Sequence, residues 1–155
     1  FWGPPGCGKS TVASVIARTT RARFVSFSAV TGGVADVRKI IDAAKDLRRT
    51  SQQRTLLFVD EIHRFNKAQQ DAFLPVVEDG TIVLVGATTE NPSFELNAAL
   101  LSRAQVLTLR RLEPADLERL AQRAEAALGR PLPLDPEARE ALVGMADGDG
   151  RALLN

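Results

Sequence analysis

A glycine-rich segment at the start of the chain restricts the fold more than any other feature of the sequence. It reads Gly3-Pro4-Pro5-Gly6-Cys7-Gly8-Lys9-Ser10-Thr11, and a helical pattern of apolar residues follows it. This spacing is typical of a P-loop, in which backbone N–H groups and the beginning of a helix bind phosphate oxygens. We expect Lys9 to reach the β- and γ-phosphates of a nucleotide and Ser10 to help hold Mg²⁺. The other interpretation, a turn that only precedes a helix, is disfavoured because every motif position fits.

Composition indicates one ordinary globular domain and points to no particular partner. The 155 residues are 45% hydrophobic and carry a net charge of +1, which is enough apolar chain for a core. Cys7 is the only cysteine, so we interpret it as a small loop filler in a reducing compartment. No signal-peptide pattern or apolar run of about 18 residues is present, which predicts a soluble cytoplasmic protein without membrane contact. Because only two residues precede the glycine-rich segment, we expect most of the first strand to be missing.

Strands and helices alternate along the first two thirds of the chain. Two short, wholly apolar runs, 56–59 and 82–85, predict strands that are buried on both faces of a parallel sheet. The mixed polarity of 23–28 predicts an edge strand, and 106–109 predicts a last strand. Apolar residues at a helical period predict the helices between the strands. The predicted helical features are a face of Val12, Val15, Ile16 and Thr19; a face of Val34, Val37, Ile40, Ile41, Ala44 and Leu47; a helix over 66–78 that Pro75 kinks or ends; and a short helix over 95–101.

Only helices are predicted after Arg111. Pro114 begins a helix that Gly129 closes, and Asp135 and Pro136 form the start of another. Alternation followed by helices predicts an α/β core over 1–111, with a parallel sheet covered by helices. The remainder, 112–155, is predicted to be the beginning of a helical lid.

Two adjacent acids follow the first apolar strand. Asp60 stands about fifty residues after Lys9, where P-loop NTPases carry the Walker B aspartate that is associated with Mg²⁺. A carboxylate beside that aspartate can orient and deprotonate the attacking water, and we assign this role to Glu61. The alternative is that the two acids only keep the end of the strand soluble.

Five further residues are chemically informative, and each allows two interpretations. Thr88-Thr89 ends the next apolar strand, where a hydroxyl can sense a γ-phosphate or simply cap a turn. Arg103 is open between a finger into a neighbour's site and a surface residue, and Arg151 between a phosphate sensor and a helix-start arginine. His63 is the only histidine, and because no His/Cys cluster accompanies it, we favour a structural or orienting role over metal binding.

Positive charge is concentrated in one part of the chain. From Arg18 to Arg54 there are nine Arg and Lys residues against three Asp, so the local charge is 9 − 3 = +6. Charge alone favours a solvated helix face. Contact with the phosphates of a nucleic acid is the alternative.

Taken together, these segments resemble the AAA+ ATPases and, more narrowly, the RarA/MgsA family of replication-associated recombination proteins, relatives of the Werner helicase-interacting protein. The resemblance covers nearly the whole sequence and is most diagnostic in Gly-Ala-Thr-Thr-Glu-Asn-Pro-Ser-Phe-Glu-Leu, residues 86–96. The segments that carry it are 3–10, 58–75, 86–96, 100–103 and 148–155. Two departures are Cys7 in place of the more usual Thr, and Gly150-Arg151-Ala152 where the family often has Ala-Arg-Arg.

The resemblance implies a P-loop NTPase fold, with a five-stranded parallel sheet of order 5-1-4-3-2 followed by a helical lid. It also implies ATP and Mg²⁺ as cofactors. By position, it makes Lys9 and Ser10 Walker A residues, Asp60 and Glu61 Walker B residues, Thr89 sensor 1, Arg103 an arginine finger that acts in trans, and Arg151 sensor 2.

The activity implied by the resemblance is a DNA-dependent ATPase that works at stalled or damaged replication forks. Implied partners are forked or junction DNA, replication proteins such as the single-stranded DNA-binding protein, and further copies joined through a region beyond Asn155, in the bacterial nucleoid. The basic segment Thr31–Arg49 corresponds to the helix that approaches DNA in clamp-loader relatives, which leaves backbone contact and a solvated face equally open. Alternatives are a clamp-loader-like or RuvB-like branch-migration ATPase, and a nucleotide-gated binding module. Glu61 argues against the last, because a pure switch does not need a water-orienting carboxylate.

Overall fold

The first apolar run forms the middle strand of a parallel sheet. In the computed structural model, which describes residues 1–155, this strand pairs on both sides in the order β1-β2-β3. The strands are β1 (Arg23–Ser28), β2 (Thr55–Asp60) and β3 (Ile82–Gly86). The register aligns Phe24 with Leu56 and Leu56 with Val83. The edge position predicted for 23–28 is therefore confirmed.

Both faces of β2 are covered, as its unbroken hydrophobicity requires. Leu57 and Val59 belong to one apolar cluster with residues of the helix that follows β1, whereas Leu56 and Phe58 belong to a second cluster with the helix that precedes β1. The helices of this part of the chain are α1 (Lys9–Thr19), α2 (Val34–Ser51), α3 (Lys67–Asp71), α4 (Leu74–Glu78), α5 (Pro92–Glu95) and α6 (Ala98–Leu101). A 3₁₀ turn, Ile62–Arg64, follows β2.

The two outer members of the predicted five-stranded sheet are reduced to single bridges. Trp2 forms a parallel bridge to Thr88 and another to Thr108, and its N–H donates to the carbonyl of Leu107 at 2.9 Å. The pairing order agrees with 5-1-4-3-2, but only three strands are formed. The strand predicted over 106–109 is one bridged residue.

Helix α1 corrects the predicted buried face. Ala13 and Ala17 are buried against Leu56 and Phe58, whereas Val15 of the predicted face is 56% exposed. Alanine has the smaller side chain, so a face of alanines brings the helix axis close to the sheet. The prediction from apolar periodicity therefore chose the helix face next to the one that is buried. For α2, in contrast, the predicted stripe is confirmed, with Val37, Ile41 and Ala44 buried.

Two predicted helices are each divided in two. The helix predicted over 66–78 breaks after Asp71, before Pro75 rather than at it, because the proline ring would clash with the carbonyl four residues earlier. The helix predicted over 95–101 is replaced by α5 and α6. The buried side chain of Gln70 binds the backbone here: its Nε2 donates to the carbonyls of Phe65 and Glu95, and its Oε1 accepts from the N–H of Asn97. No helix in the chain combines the length and the apolar composition needed to cross a membrane.

The chain divides into two compact units. The first comprises 1–2 and 9–108, and the second comprises 3–8 and 109–155. The second unit contains α7 (Pro114–Leu128), α8 (Pro136–Ala146) and α9 (Gly150–Leu154), which share a core of Leu117, Ala121, Ala146 and Leu153. The helical character predicted after Arg111 is thus present. The boundary at 111/112 remains a prediction.

An arginine clamp joins α7 to α8. Arg139 donates Nη1 and Nη2 to the two carboxylate oxygens of Glu125, at 2.7 and 3.0 Å, and Nε to Glu118 at 2.9 Å. These hydrogen bonds lower the pKa of the Glu125 carboxyl from its ordinary value of 4.5 to about 2, and the N–H of Leu132 contributes to the same shift.

The second unit should therefore lose stability in acid. Because the pKa of Glu125 is lower in the folded state, its contribution is fully present above pH 4.5 and is lost as the pH falls towards about 2. Thermal unfolding at pH 6 and pH 3 should show a smaller decrease in midpoint for Arg139→Gln than for the wild type. Arg119→Gln, which removes an exposed pair with Asp116 at 3.4 Å, is the matched control. Equal decreases in all three proteins would contradict this.

Candidate functional site

The beginning of α1 and the end of β2 meet the same edge of the sheet. Only residues 20–22 connect the end of α1 to the start of β1, so α1 returns along the sheet and begins near the carboxyl ends of the strands. Lys9 and Ser10 open α1, and Asp60 is the last residue of β2. Ligands of parallel α/β sheets bind at this edge.

The backbone before α1 requires glycine. Gly6 and Gly8 have φ values of +66° and +92°, in the left-handed region that residues with a Cβ atom rarely adopt. Gly6 also has no room for a side chain, because a Cβ atom there would overlap the Asp149 carboxylate. These two left-handed residues are separated by Cys7, and such alternation of backbone conformation is typical of loops whose N–H groups bind anions.

The Gly-Asp-Gly sequence before Arg151 has a local explanation within the second unit. The carboxylate of Asp149 caps α9 by accepting from the N–H groups of Arg151 and Ala152, at 2.8 and 2.9 Å. The N–H of Gly150 donates to the carbonyl of Gly6 at 3.2 Å. Arg151 is exposed and lies one residue after this contact with the glycine-rich segment. Sequence reasoning missed Asp149, because a cap and a packing contact look alike in a Gly-Asp-Gly string.

Glu61 has an unusual backbone. Its φ and ψ are +53° and +44°, a left-handed conformation that costs a non-glycine residue about 1–2 kcal/mol. It directly precedes the 3₁₀ turn, and its side chain is 31% exposed. Such outliers concentrate at functional sites, where the surrounding structure enforces them.

A partly buried polar contact links Glu61 to Thr88, which lies two residues beyond β3. Nδ1 of His63 lies 3.3 Å from Glu61 Oε2 and 2.9 Å from Thr88 Oγ1. The structure thus connects His63 and Thr88, which are 25 residues apart. Thr88 is 3% exposed, whereas Thr89, the predicted sensor, is exposed. Nothing in the local sequence around either residue predicts this pairing.

Arg103 is held within its own chain. Its Nε donates to Glu78 Oε1 at 2.5 Å, and its Nη1 donates to the carbonyl of Ala99 and to Ser102 Oγ. Both partners of the ion pair are about half exposed, and a pair in that setting is worth about 0–1 kcal/mol. The pair with Glu78 orients the Arg103 side chain but is weak enough to be exchanged for another anion.

The cations of the basic segment on α2 are only partly neutralised. The five cations are Arg38, Lys39, Lys45, Arg48 and Arg49. Three of them are within 4 Å of a carboxylate: Lys39 with Asp36, Arg48 with Asp79, and Arg49 with Asp46. Arg38 and Lys45 make no such pair. These two therefore remain the best candidates for contacts with an external anion.

The donor set fits Mg²⁺ better than a metal bound by protein alone. No group of three His, Cys, Asp or Glu side chains could hold a metal ion. Mg²⁺, however, commonly takes only one or two protein oxygens and completes its shell with phosphates and water. The hydroxyl of Ser10 and the carboxylate of Asp60, both at the carboxyl edge of the sheet, are ligands of that type.

Comparisons with known proteins agree with this geometry. The family model described as AAA, ATPase family associated with various cellular activities, matches residues 1–112. The chain is 51% identical, over its full length, to the replication-associated recombination protein A of Haemophilus influenzae, and it covers 36% of that protein. It is 46% identical to the ATPase WRNIP1 of Dictyostelium discoideum, of which it covers 18%.

A solved structure has a similar fold. The Holliday junction branch migration motor RuvB of Thermotoga maritima superimposes with a TM-score of 0.76 at 30% sequence identity. The comparison covers 99% of this chain and 50% of RuvB. The chain thus spans about a third of the first of these relatives and half of this structural neighbour.

Proposed function

The chain belongs to the AAA family of ATPases, and from that premise we propose that it binds Mg·ATP at Gly3–Thr11 and hydrolyses it with Glu61 as the base. The observation that carries the proposal is the pair of left-handed glycines, Gly6 and Gly8, immediately before α1. A helix that begins with Lys9 and Ser10 adds the positive end of its dipole and two ligand side chains. Phosphate groups are the ligands that typically use a glycine-rich backbone, a helix N-terminus, a lysine and a hydroxyl together.

Each proposed site residue has a separate task. Lys9 would neutralise the β- and γ-phosphates, and Ser10 and Asp60 would hold Mg²⁺, which would supply further positive charge to the phosphates when bound. Glu61, one residue after the strand, orients and deprotonates the attacking water. Thr89 is exposed at the neighbouring strand end and senses the γ-phosphate. Arg151 is exposed beside the Gly6 contact and acts as a second phosphate sensor.

The catalytic arginine is proposed to come from a neighbouring copy. Arg103 follows α6, and its side chain is held by the exposed pair with Glu78 and by hydrogen bonds to Ala99 and Ser102. An arginine that exchanges one exposed carboxylate for a γ-phosphate can serve as a finger at little energetic cost. Self-association through a region outside these residues is part of the proposal, and the chain covers 36% of its bacterial relative.

The proposed setting is replication-associated recombination in the bacterial nucleoid, with forked DNA as the partner and the single-stranded DNA-binding protein as a further one. The name of the bacterial relative, replication-associated recombination protein A, and the similarity to the RuvB motor support DNA as the ligand. Arg38 and Lys45, the two cations of α2 that have no carboxylate within 4 Å, supply contacts to the DNA backbone. RuvB-like branch migration is the second candidate, favoured by the TM-score of 0.76.

Forked DNA should stimulate ATP hydrolysis by the full-length protein, and two substitutions on α2 should weaken both DNA binding and this stimulation. The double variant Arg38→Ala/Lys45→Ala removes the two cations that have no ion pair. In this variant the slope of log DNA affinity against log salt concentration should be smaller by about 2. Lys39→Ala with Arg49→Ala, which removes paired cations, is the matched control and should change the slope less. Fluorescence anisotropy and steady-state phosphate release measure both effects. An equal loss in the two double variants would contradict the assignment, and an ATPase indifferent to DNA would contradict the function.

A further inference from the structure

His63 occupies a position that none of the proposed catalytic roles uses. It is the only histidine among the 155 residues, and its side chain is 9% exposed. One ring nitrogen, Nδ1, faces both the carboxylate of Glu61 and the hydroxyl of Thr88. An imidazole with little exposure that contacts both Glu61, the proposed general base, and Thr88 can make the orientation of the Glu61 carboxylate depend on the position of Thr88.

The hydrogen-bond partners of Thr88 determine which atom carries the ring proton. Thr88 Oγ1 accepts from the N–H of Glu90 at 3.0 Å, and its own hydroxyl has the Glu90 carbonyl within 3.3 Å. If the hydroxyl donates to that carbonyl, its second lone pair is available for Nδ1–H, and the Thr88 hydroxyl is then fully hydrogen-bonded. In the opposite tautomer the Nδ1 lone pair would accept from Thr88 and lie 3.3 Å from a carboxylate oxygen, a repulsive contact because a carboxylate cannot donate.

The backbone keeps these three side chains in a fixed relation. The N–H of Ile62 donates to the carbonyl of Ala87 at 3.0 Å, and the N–H of Ala87 donates to the carbonyl of Val59 at 2.8 Å. The 3₁₀ turn is thereby attached to the extension of β3. Gly86 permits this approach, because a Cβ atom there would lie 2.8 Å from Ile62 Cδ1. These backbone hydrogen bonds therefore place His63 next to Thr88.

We propose that His63, with Nδ1 protonated, is a positioning residue that orients the Glu61 carboxylate and couples it to Thr88 at the end of β3. The inference rests on the proposed role of Glu61 as the base. Nδ1–H donates to Thr88 Oγ1, and its positive hydrogen also attracts the nearby Oε2 of Glu61, which leaves Oε1 for the attacking water. Because Thr88 adjoins the proposed sensor Thr89, the same contact relates the orientation of the base to the segment that meets the γ-phosphate.

Two amide substitutions separate positioning from packing. Asparagine places an amide N–H near the position of Nδ1, whereas glutamine places it near Nε2. In the full-length protein, His63→Ala and His63→Gln should lower kcat by about 10–100-fold, the cost of a misplaced catalytic group, with KM for ATP unchanged. His63→Asn should recover most of the loss. Equal activities for the Asn and Gln variants, wild-type turnover for His63→Ala, or a rise in KM alone would overturn the proposal.

The ring proton is measured without reference to activity. Nitrogen-15 NMR of full-length protein labelled in histidine, with the His63 signals assigned by their loss in His63→Asn, should give the shift of a protonated Nδ1. An unprotonated Nδ1 would overturn the proposal even if Glu61 is the base. An inactive wild-type protein with a protonated Nδ1 would instead overturn the proposed function and, with it, the positioning of a base. Thermal unfolding of each variant identifies any that fail to fold.

Discussion

Lys9→Ala is expected to abolish binding of Mg·ATP, whereas Glu61→Gln is expected to retain binding and lose hydrolysis. Lys9 opens α1 directly after the left-handed glycines, so its ammonium is a principal counter-charge for the β- and γ-phosphates in the proposed site. Glutamine has the size of Glu61 but cannot take a proton from water. Filter binding and phosphate release, measured on the same preparations, separate the two effects.

Matched controls exist for both substitutions. Lys67→Ala removes an exposed lysine at the start of α3, and should leave binding unchanged. Glu95→Gln does the same for an exposed acid of α5. Wild-type turnover by Glu61→Gln would show that another group activates the water. Retained ATP binding by Lys9→Ala would remove the basis of the phosphate site.

Arg103→Ala is expected to lower turnover by about 10³–10⁵-fold, the range for an arginine finger, while ATP affinity and assembly are retained. The side chain has no carboxylate partner within 4 Å other than Glu78, and the exposed pair is worth about 0–1 kcal/mol. Its loss cannot account for so large an effect through folding. Steady-state ATPase rates and sedimentation of the full-length protein provide the comparison.

Glu78→Gln is the matched control for Arg103. It breaks the same ion pair but retains the guanidinium, so turnover should stay within about fivefold of the wild type, as expected for a weak exposed pair. A comparable loss in both variants would mean that the contact between α4 and Arg103 matters, and that the finger role is wrong.

The sequence predicts best the features set by short-range chemistry. The glycine-rich segment, the buried strand β2 and the acids after it each follow from residue types at fixed spacing, and the parallel sheet follows from their order. The face of α1 was predicted wrongly, because the apolar period counts Val15 and cannot see that Ala13 and Ala17 allow closer packing. The helix ends a few residues before Pro75, earlier than predicted, because the proline ring clashes with the carbonyl group one helical turn before it.

Contacts between distant parts of the chain could not be predicted in this way. The approach of His63 to Thr88 joins residues 25 positions apart, and the overlap that excludes a side chain at Gly6 involves Asp149. Both depend on how strand ends and loops meet in space, which no local pattern records. The roles of Arg103 and Arg151 likewise came from resemblance to a family, and the structure adds their local partners.

Mixing two inactive variants tests the central claim, that ATP is hydrolysed where the site of one subunit meets Arg103 of the next. Full-length Lys9→Ala lacks the phosphate site but keeps the finger, and full-length Arg103→Ala has the reverse defect. An interface that pairs the intact site of the second with the intact finger of the first is complete. Partial recovery of ATPase activity is therefore expected on mixing. No recovery, despite demonstrated exchange of subunits, would contradict it.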